Sequence, residues 1–381
     1  MSGSDVVDVV IIGGGIIGCS IAMDLSGRKN FDTILLLEKG PYLGDGTSTR
    51  NSYVIHAGIY YPEDSLKARF CVEGNYETYG FCEQFHITCH ATGKLIVATT
   101  PDEIPVLERL LDQGTRNGVE GLAILERNAW KSLEPNIDGV VALYSPKTGV
   151  FDTAQWFRTV EGILYSRGVM VLKKTPVIGL NPRADCVEVD TASRGKVLAR
   201  SVINAAGPYA DEVANLLGNR FCIHPYRGDY FAVSGPRARE VQRAVYPVPG
   251  AIGLGIHLTK LWDGTLLLGP DARHVQSKDD YSDLSVFTPE GDLDLNSPAL
   301  LRFHESAVRL LPALRPGEMR LAHCGIRPSL LVPGEKGFRD FLIKPDPVFP
   351  SVIHLIGIDS PGLTSAIPMA RYVAELLRDL G

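Results

Sequence analysis

The sequence predicts an α/β fold, α+β overall, in which a parallel-sheet domain accompanies a second domain built on an antiparallel sheet. Three observations lead to this prediction. An apolar run near the N-terminus enters a glycine-rich turn and then a helical pattern. Residues 226–272 alternate between apolar and polar types around an Asp-Gly turn. Residues 351–377 have the pattern of an apolar strand, a glycine-containing loop and an amphipathic helix.

Length, charge and cysteine content narrow the class of protein. A chain of 381 residues is long enough for two domains, and its net charge of −6 predicts a small-molecule ligand and no nucleic acid. The 7 cysteines are scattered without a C-x-x-C pair, which argues against structural zinc and disulfides and favours a reducing compartment. With no secretory signal and no apolar run of about 18 residues, we expect a cytoplasmic protein without a transmembrane segment. Peripheral contact with a membrane stays open.

The N-terminal run and turn carry the strongest signal. Val9–Ile12 is short and continuously apolar, as expected of a strand buried on both faces of a parallel sheet. The G-x-G-x-x-G turn and the start of the following helical pattern comprise Gly13, Gly15, Ile16, Ile17 and Gly18. A second strand, Thr33–Glu38, ends in an acid about twenty residues further on. Strand, turn, helix and acid together are typical of a Rossmann-like dinucleotide-binding domain.

Each residue type in this motif has a physical reason. Gly13 allows the tight turn, Gly15 lets the backbone approach a pyrophosphate, and Gly18 lets the helix pack closely on the strand. The helix N-terminus then faces the phosphates, where its partial positive charge is favourable. Glu38 can accept hydrogen bonds from a ribose and would repel a 2′-phosphate, which disfavours NADP.

The motif alone does not distinguish FAD from NAD, but three later segments favour FAD. Residues 196–207 have the pattern of a strand that ends in a small-residue turn, and residues 175–180 that of a short edge strand before it. Residues 351–377 return to the same sheet near the C-terminus. A chain arranged in this way suits an elongated cofactor.

These features together resemble the FAD-dependent oxidoreductases of the D-amino-acid oxidase and glycine oxidase superfamily, and within it the L-2-hydroxyglutarate dehydrogenases and oxidases. The resemblance spans nearly the full chain. It is carried by RNSYVIHAGIYYPEDSLKA (50–68), RGDYF (227–231), GIHLTKLWDGTLLLGPDA (255–272), GIRP (325–328) and SPGLTSAIPMA (360–370).

The resemblance implies that FAD contacts the motif residues and a further set along the chain. This set is Glu38, Lys39, Thr47, Ser48, Arg50, Asn51, Ser52, Val177, Ala205, Ala206, Gly207, Gly325, Arg327, Ser360, Gly362, Leu363 and Thr364. The last three begin the C-terminal helical pattern, where the positive end of the helix dipole can stabilise negative charge on the flavin.

The resemblance also implies a reaction: oxidation of a small 2-hydroxy acid, first of all L-2-hydroxyglutarate to 2-oxoglutarate, by hydride transfer to flavin N5. Two alternatives stay open, an amine or D-amino-acid oxidase related to glycine and sarcosine oxidases, and a protein that binds FAD without catalysis. The substrate is then a small-molecule carboxylate. The electron acceptor, whether oxygen, a quinone or a protein, is open as well.

Such a reaction needs a base for the hydroxyl proton and a cation for the carboxylate. His56 and His257 are the candidate bases; we favour His56, with His257 as base or as hydrogen-bond partner of the substrate. Arg327 is the candidate carboxylate clamp, because a planar guanidinium binds a carboxylate through two hydrogen bonds. A dicarboxylate needs further donors, and the sequence does not choose among Arg50, Tyr60, Tyr230, Lys260 and Arg273.

The chain is expected to interleave its two domains. The FAD-binding domain is predicted at 1–78, 145–218 and 322–381, and the substrate-binding domain at 79–144 and 219–321. Residues 91–100 are predicted to form a strand of the substrate-binding domain. Residues 226–235, 255–272 and 338–346 are predicted to belong to its antiparallel sheet.

Overall fold

The computed structural model describes residues 6–250, 255–282, 286–288 and 292–380. They form two compact units. The first comprises Met1–Thr49, Thr153–Pro225 and Arg327–Gly381, and the second comprises Arg50–Asp152 and Tyr226–Ile326. Residues 50–78 therefore pack within the second unit. Which segments contact cofactor and which contact substrate stays a prediction, because compactness alone does not test it.

Strands supply the framework of both units. In chain order they are β1 (Val7–Ile12), β2 (Ile34–Leu37), β3 (Val54–Ile55), β4 (Cys89–His90), β5 (Lys94–Ala98), β6 (Ala123–Glu126), β7 (Val141–Ser145), β8 (Gly149–Phe151), β9 (Met170–Leu172), β10 (Val177–Pro182), β11 (Val187–Thr191), β12 (Gly195–Asn204), β13 (His224–Val233), β14 (Ala244–Pro247), β15 (His257–Lys260), β16 (Leu266–Gly269), β17 (Arg273–His274), β18 (Met319–Ser329), β19 (Leu342–Pro345) and β20 (Val352–Ile356).

Helices flank the sheets. They are α1 (Ile16–Ser26), α2 (Leu66–Gln84), α3 (Ile104–Arg116), α4 (Arg127–Leu133), α5 (Thr153–Ser166), α6 (Ala210–Asn215), α7 (Pro298–Ala307) and α8 (Gly362–Leu380). Short 3₁₀ turns occur at Pro101–Glu103, Gly207–Tyr209, Gly235–Arg239 and Pro316–Glu318. Within the described part of the chain, no helix combines the length and apolar character that a membrane crossing requires.

The first unit is built on an eight-stranded sheet. Its order is β10-β11-β12-β1-β2-β9, and β20 pairs with both β12 and β19. β1 pairs in parallel with β2 and β12, and β12 with β20, so the strands that meet at one end of the sheet come from distant parts of the chain. All four residues of β2 and all five of β20 are buried. This fits strands covered on both faces.

The second unit contains a nine-stranded sheet. Its order is β17-β13-β16-β15-β14-β5-β7-β6, with β18 paired to β13, and a small sheet of order β3-β8-β4 accompanies it. One face of the large sheet packs Leu95, Val245 and Leu258 against Phe303 of α7. The opposite face carries Lys94, Tyr230, Tyr246, His257 and Thr259, and we call it the polar face.

The mixed α/β prediction is confirmed, and one strand assignment is wrong. Residues 338–346 do not join the antiparallel sheet of the second unit. Their strand, β19, pairs antiparallel with β20 at the first sheet, with Leu342 opposite Ile356. The alternating pattern of this segment fits either sheet, and the nearby β20 decides between them because its backbone groups need a partner.

Candidate functional site

The glycine turn of the first unit is shaped by close backbone contacts. Gly13 has φ +109°, and a Cβ there would lie 2.3 Å from the carbonyl oxygen of Ala205. A Cβ on Gly18 would lie 1.9 Å from the carbonyl oxygen of Gly13. A Cβ on Gly15 would meet only Ser48 Oγ, at 3.2 Å. Gly13 and Gly18 are therefore required for packing, whereas Gly15 leaves space above the turn.

The start of α1 and the acid at the end of β2 hold this turn in place. The backbone N–H of Ile16 donates to Ser48 Oγ at 3.0 Å. Glu38 is buried, and its two carboxylate oxygens accept from the N–H groups of Gly14 at 2.7 Å and Gly40 at 2.6 Å. Each carboxylate oxygen can accept more than one hydrogen bond. Glu38 thus retains capacity for a ribose hydroxyl while it rigidifies the turn.

Other predicted cofactor residues lie in the first unit. Lys39 Nζ lies 3.3 Å from the centroid of the Tyr209 ring. Ala205 follows β12 and donates its N–H to the carbonyl of Ile12, which brings the ends of β12 and β1 together. The remaining predicted residues there are Ile17 in α1, Thr47 before Ser48, Val177 at the start of the edge strand β10, Ala206 and Gly207 after β12, Ser360 before α8, and Gly362, Leu363 and Thr364 in its first turn.

Arg327 belongs to the first unit and occupies β18. It is partly buried, and its guanidinium forms no hydrogen bond, ion pair or ring contact with any residue in the described ranges. A guanidinium without a protein partner keeps its N–H donors available to a ligand. These surroundings suit the carboxylate clamp predicted for Arg327.

The segment that follows Thr49 lies in the second unit. The carbonyl of Arg50 approaches Gly325 so closely that a Cβ there would lie 1.9 Å from it, and the Arg50 guanidinium lies over the Tyr281 ring at 4.8 Å. His323 Nε2 lies 3.1 Å from the carbonyl oxygen of Asn51. The close approach of the Arg50 carbonyl explains why glycine is needed at position 325.

Ser52 to Tyr60 follow the polar face of the large sheet. Ser52 Oγ lies 3.5 Å from the hydroxyl of Tyr230 on β13, and Lys94 Nζ on β5 donates to the hydroxyl of Tyr60 at 3.2 Å. His56 occurs between them, and its carbonyl accepts from Asn75 Nδ2 of α2 at 2.9 Å. In the sheet order, β15, the strand that carries His257, lies between β13 and β5.

His257 is oriented by contacts on the polar face, among them those with Thr259 and Tyr246. Its Nδ1 lies 3.1 Å from Thr259 Oγ1, and its ring stacks on Tyr246 with a centroid distance of 3.8 Å and an interplanar angle of 4°. Such a ring pair contributes about 0.5–1.5 kcal/mol beyond burial. The imidazole is therefore oriented by its surroundings before any ligand binds.

The structure narrows the choice among the candidate donors for a second carboxylate. Lys260 donates to the carbonyls of Ala238 and Gly264, and it lies on the face opposite His257 because it is three residues further along β15. Arg273 pairs with the buried Asp229 at 3.3 Å. Both cations are thus engaged in the fold.

Sequence reasoning missed several residues of the polar face. Lys94, Tyr246 and Thr259 were not among the predicted site residues. A lysine at the start of the otherwise apolar run Lys94–Ala98 is the signal that could have singled out position 94. Within the described residues, no cluster of three or more His, Cys, Asp or Glu side chains is arranged to hold a metal ion.

Comparisons with known proteins bear on the chemistry. A family model described as FAD dependent oxidoreductase matches residues 8–376. The mitochondrial L-2-hydroxyglutarate dehydrogenase of Arabidopsis thaliana is 34% identical over 97% of this chain and 83% of its own length. The L-2-hydroxyglutarate dehydrogenase of Escherichia coli strain K12 is 31% identical over 98% of this chain and 93% of its own.

Solved structures are similar over nearly the whole chain. The L-α-glycerophosphate oxidase of Mycoplasma pneumoniae with FAD bound superposes with a TM-score of 0.86 at 26% identity, covering 98% of this chain and 95% of that one. Glycine oxidase from Geobacillus kaustophilus superposes with a TM-score of 0.81 at 20% identity, covering 98% and 95%. The second likeness concerns the fold alone.

Proposed function

The chain belongs to the FAD dependent oxidoreductase family, and from this membership we propose that it oxidises L-2-hydroxyglutarate to 2-oxoglutarate. The use of FAD and the oxidoreductase class follow from the family. The substrate is supported by relatives named for it that match nearly the full chain. The structural observation that carries the proposal is His257, an imidazole fixed in place on the polar face.

The first unit fits the cofactor. The space above Gly15 and the N-terminus of α1 suit the pyrophosphate, and Glu38 suits the ribose. The N-terminal turn of α8, from Gly362 to Thr364, is the end of that helix where negative charge is favoured. When bound, FAD supplies the two-electron acceptor that the oxidation of a secondary alcohol requires.

The sequence analysis favours His56 as the base, but we propose that His257 accepts the hydroxyl proton, because its ring is oriented by Thr259 and Tyr246. Thr259 holds Nδ1 and the Tyr246 ring fixes the ring plane, so Nε2 is the atom we assign to the proton transfer. An imidazole suits this role because its ordinary pKa lies near neutrality. His56, whose backbone is anchored by Asn75, is the second histidine of the site and the competing candidate.

Arg327 is proposed to bind the carboxylate next to the reacting carbon. Its lack of a partner within the described ranges leaves the guanidinium available for two parallel hydrogen bonds. Holding the carboxylate in this way fixes the position of the carbon that loses hydride, and such positioning contributes strongly to rate.

One anaerobic experiment tests the proposal. Holoenzyme is titrated without oxygen with L-2-hydroxyglutarate, its D enantiomer, glycine and sarcosine, and the visible flavin absorbance is followed with 2-oxoglutarate assayed in the product. Bleaching by the L-hydroxy acid alone, with stoichiometric 2-oxoglutarate, is the expected result. Bleaching by the amines instead would point to an amine oxidase. A flavin that no compound bleaches would point to a protein that binds FAD without catalysis.

The same preparation identifies the electron acceptor. Reduced enzyme is mixed in turn with oxygen, a soluble quinone and an electron-transfer flavoprotein, and the rate at which the flavin absorbance returns is compared.

A cytoplasmic location is also proposed, because none of the 7 cysteines, all of which the structure describes, forms a disulfide. Cell fractionation with activity measured in each fraction checks it.

A further inference from the structure

Lys94 is a buried cation on the polar face of the second unit. It begins β5, and its exposed fraction is 1%. Its Nζ donates to the Tyr60 hydroxyl at 3.2 Å and lies 4.5 Å from the centroid of the Tyr60 ring and 4.8 Å from that of the Tyr246 ring. Tyr246 in turn stacks on His257. The ammonium group is therefore one aromatic ring away from the proposed base.

The hydrogen bonding of Lys94 is incomplete. An ammonium group has three N–H donors, and within the described residues only the Tyr60 hydroxyl accepts from it. Lys260, on the other face of the same sheet, shows how a lysine is satisfied by the fold, since it donates to two carbonyl oxygens. Lys94 has no carbonyl or carboxylate partner in the described part of the chain.

The groups around Lys94 do not provide the missing negative charge. Burial raises the pKa of Tyr60, of Tyr246 and of the Cys71 thiol, so all three are neutral at physiological pH. Burial also lowers the pKa of Lys94 to about 7. Such a cation is costly in a folded interior unless a partner arrives with the opposite charge.

Tyr246 supplies an independent sign that a ligand belongs here. Its side chain is fully buried, and its hydroxyl meets no hydrogen-bond partner of ordinary geometry among the described residues, although Thr259 is close enough to influence its pKa. A buried hydroxyl without a partner costs free energy that an incoming acceptor recovers. Tyr60 is only partly buried, whereas Lys94 and Tyr246 are fully buried.

We propose that Lys94, with the hydroxyls of Tyr60 and Tyr246, binds the second carboxylate of a dicarboxylate substrate. A carboxylate offers the negative charge and the several acceptor positions that these three side chains lack. The Tyr246 ring contacts His257 at 3.8 Å between centroids, so the subsite lies next to the proposed base, as the short carbon chain of a five-carbon diacid requires. This inference rests on the proposed function and names the residues that make it selective for diacids.

The test compares two substrates that differ only at the far end. L-2-Hydroxypentanoate has a methyl group where L-2-hydroxyglutarate has its second carboxylate. The rate of anaerobic flavin reduction at low substrate concentration is measured for both, in wild-type holoenzyme and in Lys94→Met. We expect Lys94→Met to slow the diacid by about 10- to 100-fold, since a hydrogen bond to a charged group is lost, and to leave the monoacid within a few-fold. Lys260→Met is the matched control, and it should keep the wild-type preference.

A binding measurement separates this inference from the proposed function. Calorimetry of glutarate and of pentanoate with oxidised holoenzyme needs no turnover, and glutarate should bind to wild type and lose affinity in Lys94→Met. If Lys94→Met fails to fold, Tyr60→Phe replaces it and should reduce the same preference about 2- to 10-fold. An undiminished preference for the diacid in the folded variants overturns the subsite. Wild-type flavin that neither hydroxy acid reduces overturns the proposed function, whereas Lys94-dependent glutarate binding would still support the subsite.

Discussion

Replacing His257 by glutamine separates its chemistry from its packing. The glutamine side chain is polar and similar in length, but it cannot accept a proton at neutral pH. Loss of a general base reduces a rate by about 10²- to 10⁴-fold, or about 3–5 kcal/mol of activation free energy. We therefore expect the anaerobic rate constant of flavin reduction in His257→Gln to fall by that factor while FAD content stays near wild type.

The structure predicts a smaller effect when only the orientation of the ring is disturbed. The bond between His257 Nδ1 and Thr259 Oγ1 is worth about 0.5–1.5 kcal/mol as a neutral hydrogen bond. Thr259→Val removes that bond and keeps the size and branching of the side chain. Its rate of flavin reduction should fall only about 2- to 10-fold, because the stacking on Tyr246 still fixes the ring plane.

Stopped-flow absorbance under anaerobic conditions measures both variants directly. Substrate carrying deuterium at C2 is run in parallel, because a kinetic isotope effect shows that the observed phase is hydride transfer. Thermal unfolding and flavin content are controls for misfolding. The assignment would be refuted if His257→Gln reduced the flavin within a few-fold of wild type while His56→Gln lost the larger factor, and His56 would then be the base.

Three further predictions follow from the geometry. Gly18→Ala should lower both flavin content and thermal stability, because the new Cβ would lie 1.9 Å from the carbonyl oxygen of Gly13. Gly162→Ala is the control and should lower neither, because Gly162 is exposed on α5 and its Cβ would have nothing within 4 Å. Arg327→Lys should raise the KM for substrate about 10-fold or more, because bidentate binding is lost, with flavin content unchanged; equal loss of both would indicate a structural arginine. The protonated fraction of Lys94 falls as pH rises through its pKa of about 7. Glutarate affinity measured by calorimetry should therefore be greatest below pH 7 and fall by up to about 50-fold between pH 7 and pH 9. A flat profile would contradict the charge assigned to Lys94. The titratable groups that face Lys94 are Tyr60, Tyr246 and Cys71, with His257 beyond Tyr246. The same pH profile measured on Lys94→Met is the control, because it shows any contribution from these other groups.

Local patterns were sufficient for the N-terminal strand, turn and helix of the first unit. The run Val9–Ile12, the motif glycines and the acid at position 38 are close in sequence, and their spacing alone predicts a strand, a turn and a helix in a given order. The predicted fold class and the predicted FAD family are both confirmed. The C-terminal helix beginning at Gly362 was predicted on the same basis, because its apolar residues recur at helical spacing within one short stretch.

Pairing between distant segments decided the rest. Residues 338–346 alternate as an antiparallel strand should, but only β20 determines which sheet they join. The sequence analysis named Lys260 as a candidate donor and missed Lys94. The register of β5, β14 and β15 places the two lysines on opposite faces of the sheet. Lys260 donates to two carbonyls, whereas Lys94 donates to the Tyr60 hydroxyl. The sequence by itself determined which elements form and which cofactor family the chain joins, because those signals lie in short stretches. Only the tertiary structure decided which of the two lysines is buried with incomplete hydrogen bonding, because burial and hydrogen-bond satisfaction depend on residues far away in the chain.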